Sequence, residues 1–218
     1  MTLKLREPGS AITHFIGAVL SACAAVPLLI RAGSVPGYTN LCAMTVFIVS
    51  MIMLYSASTT YHSVNLSAGF IKIFRKIDHM MIFVLIAGSY TPICLIVLKG
   101  HIGTIMLCVI WGLALIGILI KAFWITCPKW FSSVIYIGMG WTCVFAFVPL
   151  VNALSATALC WLVAGGVLYT AGGIIYALKL SIFNSKHEAF GSHEVFHLFI
   201  LAGSICHFIF MYHFVAAM

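Results

Sequence analysis

Seven apolar runs, separated by short polar breaks, carry most of the chain. They lie at about Ala11–Ile30, Thr39–His62, Asp78–Leu98, Ile102–Trp124, Phe131–Val151, Ser155–Leu180 and from His193 to the C-terminus. Each is roughly 18 to 25 residues long, enough to cross a hydrocarbon layer of ~30 Å as a helix. Each must be helical, because lipid offers no partner for an open backbone. The first run ends at Arg31 and a Gly33-Ser-Val-Pro-Gly37 turn. Between the second and third, Phe70, Ile71, Ile73, Phe74 and Ile77 alternate with Lys72, Arg75 and Lys76, which predicts a short helix lying at the interface. The third run holds Gly88 and Pro92, and Cys127-Pro128-Lys129-Trp130 reads as a loop. Gly165-Gly166 and Gly172-Gly173 predict close helix approach. No internal repeat or second domain is visible, so residues 1–218 are expected to form one all-α, seven-helix transmembrane domain. The polar stretch Met1 to Ser10 is expected to lead into a retained span rather than a signal peptide, because the apolar run that follows continues for some twenty residues.

Composition agrees. The chain is 63% hydrophobic and 7% charged, more apolar surface than a soluble domain of this size can bury. The formal charge of +7 is scattered singly and in small groups between spans. That pattern excludes nucleic acid as the expected partner and points to membrane lipids. Nine of the eleven lysines and arginines fall on one side: Lys4, Arg6, Lys72, Arg75, Lys76, Lys121, Lys129, Lys179 and Lys186. Only Arg31 and Lys99 fall on the other, which predicts an N-terminus inside and a C-terminus outside. None of the eight cysteines forms a Cys-x-x-Cys pair, and they are expected to act as free, small hydrophobes.

Candidate chemistry gathers at the inner ends of the spans. His14 opens the first, His62 closes the second, Asp78 opens the third, and His193 and His197 open the seventh. Ionisable residues in membrane spans are costly and mark function by default. His193 and His197 stand one helical turn apart and face the same way, so they can grip one ion. Three imidazoles with an open fourth position suit catalytic zinc, which lowers the pKa of bound water toward ~7. Asp78 is the candidate to orient or deprotonate the water. Ser58, a turn before His62, is the candidate to hold water or a substrate carbonyl. His79, His101, His187, His207 and His213 read as packing or interfacial residues, and Glu188 and Glu194 as solvated. Two other classes use the same groups: a sensor or transporter with a structural zinc, or a proton or ion pathway.

The chain resembles the progestin and adipoQ receptor family, in its bacterial haemolysin III branch. The residues that carry this are Glu7-Pro-Gly-Ser-Ala-Ile-Thr-His14, Ser58-Thr-Thr-Tyr-His62, Asp78-His79 and His193-Glu-Val-Phe-His197 with the following Leu-Phe-Ile-Leu-Ala-Gly-Ser. The resemblance spans essentially the whole chain. It implies a seven-helix bundle in the bacterial inner membrane, and zinc held by His62, His193 and His197. It also implies that Asp78 reaches the metal through water and that Ser58 matches the family's serine. Ser10 stands where the family usually has Asn, so the first motif receives no catalytic role. Through the alkaline ceramidases of the wider superfamily, the resemblance implies metal-dependent hydrolysis of a lipid-like amide or ester, and through bacterial relatives it implies an effect on membrane homeostasis.

Overall fold

The computed structural model describes residues 5–178 and 191–218. Lys4, Lys179, Lys186, His187 and Glu188, which enter the reading above, lie outside the described residues. The described residues are helical, with no strand among them. The helices are α1 (Pro8–Gly33), α2 (Thr39–Ser63), α3 (Ala68–Pro92), α4 (Gly100–Phe123), α5 (Lys129–Gly140), α6 (Phe147–Ala153), α7 (Ala156–Leu178) and α8 (Ser192–Phe210). Joining α3 to its wider final turn, α5 to α6, and α8 to its last turn gives seven helices long and apolar enough to cross a membrane. The chain is therefore a multi-pass membrane protein.

Sequence-derived boundaries shift by a few residues, and at one span the reading changes. The expected interfacial helix before Asp78 is not separate. Ala68 to Pro92 is one helix, and Asp78 lies about three turns inside it. No proline or glycine stands between Gly69 and Asp78 to break the helix. Phe70, Ile73 and Ile77 remain exposed along this extension, on the side that faces headgroups or lipid. After Pro92 the helix widens over Ile93–Leu98, where the missing proline N–H loosens the ladder. Lys99 and Gly100, both at positive φ (45° and 55°), then reverse the chain into α4.

Between α5 and α6 the helix tightens over Trp141–Ala146. The Tyr90 hydroxyl inserts there: it donates to the Gly140 carbonyl (2.6 Å) and accepts from the Cys143 N–H (2.8 Å). A side chain entering the ladder is a known cause of such a break. The hydrophobic centre lies among α2, α3 and α8, around Phe47, Tyr55, Phe83 and Phe210. Large apolar side chains such as Val26, Ile30 and Leu115 point outward, which fits a hydrocarbon solvent. The glycine pairs of α7 do pack closely: a Cβ on Gly172 would lie 2.9 Å from Phe199 Cβ of α8. All eight cysteines are free thiols.

Candidate functional site

The N-terminal parts of α1, α3 and α8 and the C-terminal end of α2 converge, and they bring the polar residues of the sequence into one cluster. Backbone geometry starts it. Pro8 takes the first position of α1, where its missing N–H costs nothing. The Glu7 N–H just before it donates to the His62 carbonyl at the end of α2 (3.0 Å). The start of α8 is tied in turn: Glu194 accepts from the Gly191 N–H (2.8 Å) and from the Ser10 hydroxyl of α1 (2.6 Å). Glu194 is thus a strut between two helices rather than a solvated charge.

His62, His193 and His197 each offer one ring nitrogen to a group whose ligand atoms all lie within 4.8 Å of one another. This three-histidine group could hold a metal ion. The Nε2 atoms of His62 and His193 are 3.4 Å apart. With metal–nitrogen bonds of ~2.0–2.1 Å, the edge of a tetrahedron is ~3.3–3.4 Å, so this pair already has the spacing of two ligands on one ion. The other face of His62 is occupied. Its Nδ1 meets Glu7 Oε2 at 2.5 Å, which fixes the ring and leaves Nε2 as the free donor. Glu7 also pairs with Arg6 (3.2 Å). The hydrogen bond to His62 holds the Glu7 carboxyl below the usual carboxylate range, despite partial burial that opposes it. His197 Nδ1 lies 3.4 Å from the Thr13 hydroxyl. Its ring stacks on that of His14, with centroids 3.6 Å apart and planes 10° apart.

Asp78 and Ser58 share a cavity with His193 and His197, one of about 140 Å³. Both are buried, at 7% and 1% exposure. The Ser58 hydroxyl has no hydrogen-bond partner, and neither ring nitrogen of His14 has one. Unsatisfied buried groups at a cavity wall are poised for a ligand or water. The cavity runs from this polar end along Ile82, Leu85, Ile86, Ile137 and Ile200. It is the shape expected of a binding pocket: mostly apolar, with a few convergent polar groups.

Sequence reasoning missed four contributors. Glu7 was one of only four acidic residues and began the first motif, so a signal existed. Thr13 carried none. His79 read as a packing residue, but its Nδ1 lies 3.4 Å from Asp78 Oδ2 and it lines the cavity. His207 also lines the cavity, and its Nε2–H donates to the Leu162 carbonyl (3.3 Å). His101 and His213 lie away from the cluster, as expected.

Residues 3–208 match the family model described as Haemolysin-III related. The chain is 40% identical over 198 residues to Hemolysin-3 of Bacillus cereus, covering 91% of this chain and 86% of that protein. It is 39% identical over 207 residues to a Hemolysin-3 homolog of Bacillus subtilis (strain 168), covering 95% and 92%. An adiponectin receptor protein of Drosophila melanogaster is 23% identical over 217 residues, and about half of that longer protein (49%) is covered.

Proposed function

The chain belongs to the haemolysin III family, within the progestin and adipoQ receptors, and from that premise we propose that it is a zinc-dependent hydrolase of a lipid-like amide or ester. The observation that carries this is the convergence of three imidazoles at the polar end of an otherwise apolar cavity that also holds Asp78 and Ser58. Among the described residues the group holds three histidines and no fourth ligand, which matches the open coordination of catalytic zinc. His62, His193 and His197 would hold the ion, and Glu7 would orient His62 from behind. When bound, zinc supplies Lewis acidity toward a carbonyl and toward water.

The chain's own residues supply the rest. The apolar walls hold the acyl chain and exclude bulk water, which strengthens every polar contact at the end of the cavity. Asp78, as carboxylate, takes a proton from the attacking water as the new C–O bond forms. The same carboxyl returns that proton to the leaving nitrogen or oxygen when the scissile bond breaks. Ser58 donates its unpaired hydroxyl to the developing oxyanion. The direct test is turnover of long-chain amides and esters, ceramide-like and phospholipid, by the purified protein. Turnover that disappears on chelation and returns with zinc is expected. Turnover equal to the zinc-free control on every substrate would defeat the hydrolase reading.

One observation favours a proton pathway as the second reading. The Tyr55 hydroxyl donates to Ser204 (2.7 Å), which meets the Tyr169 hydroxyl (2.8 Å), and Tyr169 stands edge-on to His207. This polar chain passes through the apolar middle of the bundle beside His14. Proton flux into proteoliposomes, absent in Tyr169→Phe, would select it.

The charge bias supports an inner-membrane orientation with the N-terminus in the cytoplasm. A reporter that works only in the periplasm is expected to be active when fused after Met218. It should be silent when inserted in the connection between α2 and α3, at residues 64–67. The reverse pattern would put the histidine cluster on the outer face.

A further inference from the structure

A second buried group of reactive side chains lies outside the histidine site, at the corner where α4 meets α5. Lys121 stands in the last turn of α4 and is 2% exposed. Its Nζ donates to the Cys127 sulfur (3.1 Å) and to the Ser132 hydroxyl (2.5 Å). The same nitrogen stands 5.8 Å from the centre of the Tyr136 ring. Cys127 and Ser132 also touch, at 3.3 Å. Among the described residues no carboxylate forms an ion pair with Lys121. A lysine is rarely buried without one. Here a sulfur, a hydroxyl and an aromatic ring surround it instead.

The corner holds its nitrogen and sulfur in place. The Cys127 N–H donates to the Trp124 carbonyl (3.3 Å), which folds the connection back over the end of α4. Nitrogen and sulfur are already in contact, and the flexible lysine stem supplies the small shift a bond between them needs. The corner also lies at the surface. Cys127 keeps 7% exposure, between the exposed Trp124 and Trp130. A water-sized oxidant can reach the sulfur, and the nearest nucleophile to it is then Lys121.

We propose that Cys127 and Lys121 form a nitrogen–sulfur bridge, a sulfenamide, when the protein meets hydrogen peroxide. The Cys127 sulfur attacks one peroxide oxygen. The O–O bond breaks, and the thiol proton leaves with the other oxygen as water. Sulfur is oxidised to sulfenic acid and peroxide is reduced. The Lys121 nitrogen, as free amine, attacks that sulfur. The N–S bond forms, the S–O bond breaks, and hydroxide leaves as water with one of the nitrogen's protons. One peroxide is consumed and two waters are released. The bridge ties the end of α4 to the connection before α5, whose Ser133, Tyr136 and Ile137 line the apolar cavity. The oxidation state of Cys127 thereby sets how firmly that wall is held. None of this depends on the hydrolase reading.

The test is mass spectrometry on the full chain in neutral detergent. The protein is treated with hydrogen peroxide, denatured, alkylated with iodoacetamide and digested with chymotrypsin. Chymotrypsin cuts after Phe123 and Trp124, between the two residues. The bridge should therefore appear as one species joining two peptides, lighter by two hydrogens than their sum. Untreated protein should lack it. Dithiothreitol should separate it and make Cys127 alkylatable again. Lys121→Arg keeps the charge and the donors but not the amine. It should give no joined species and leave a Cys127 sulfenic acid that dimedone captures. The proposal is overturned if Cys127 is alkylated as fully after peroxide as before. Sulfinic acid at Cys127 with Lys121 unmodified would overturn it too, as would the same joined species in Lys121→Arg. If that variant does not fold, fragment spectra of the parent protein decide: a bridge from Cys127 to any nitrogen other than that of Lys121 sinks the assignment. Zinc content and lipid turnover do not enter the readout, so a failed hydrolase reading leaves this result standing.

Discussion

Replacing any one of His62, His193 or His197 by alanine is expected to reduce bound zinc from about one per chain to a small fraction. The three ring nitrogens come from two helices, with their ligand atoms within 4.8 Å, so no two of them reproduce the site. Two imidazoles leave an ion largely solvated, and among the described residues the group holds no further histidine to replace the third. Glu7→Gln should act more mildly. It keeps a hydrogen-bonding group near His62 Nδ1 but removes the charge, and outer-partner changes of this kind weaken metal binding about 10- to 100-fold. His101→Ala and His213→Ala should leave zinc unchanged. The thermal midpoint should move with occupancy, because an ion held between α2 and α8 stabilises only the folded bundle. Elemental analysis and a melting curve on each variant check this. Undiminished zinc in all three alanine variants would remove the site.

Asp78→Asn is expected to lower turnover by about 10² or more while leaving zinc in place. The substitution keeps volume and a hydrogen-bonding group beside His79, whose Nδ1 is 3.4 Å away. It removes the only group assigned to take the proton from water. Three imidazoles remain, so zinc content should survive, with affinity weakened at most about 10- to 100-fold. Folding should survive as well, since the change relieves a buried charge rather than creating one. A structural role for Asp78 predicts the opposite pattern: lost zinc or a lower melting point, in proportion to any loss of activity. Zinc content, melting point and lipid-amide turnover from one preparation separate the two. Full activity in Asp78→Asn would end the general-base assignment, and collapse of zinc binding would make Asp78 a structural residue.

Seven spans were legible in the sequence because span formation is a local property. Length and apolarity of each run settle it, and a lipid solvent allows no other backbone state. The common level of His14, His62, Asp78, His193 and His197 was legible for a related reason: alternating spans bring every second connection to the same side. The pair His193 and His197 followed from helical period alone. Local signals misled at the start of α3, where an amphipathic stretch looked like a separate interfacial helix. Amphipathic pattern reports which side meets lipid or water, and it does not report whether the helix stops.

What only the tertiary structure decided depends on rotation about the helix axes. Span placement gives depth but leaves each helix free to turn, and that angle determines which side chains meet. It brings Glu7 onto His62, stacks His14 on His197, and makes Glu194 a strut to Ser10. It turns His79 from a packing residue into a lining residue of the cavity, 3.4 Å from Asp78. The break at Trp141–Ala146 was equally invisible, because its cause is the hydroxyl of Tyr90, some fifty residues earlier in the chain. The sequence by itself determined a membrane bundle with, at one end, a set of residues that could hold a metal ion. The packing of that bundle decided which of those residues line the apolar cavity, since this follows from contacts between helices distant in sequence.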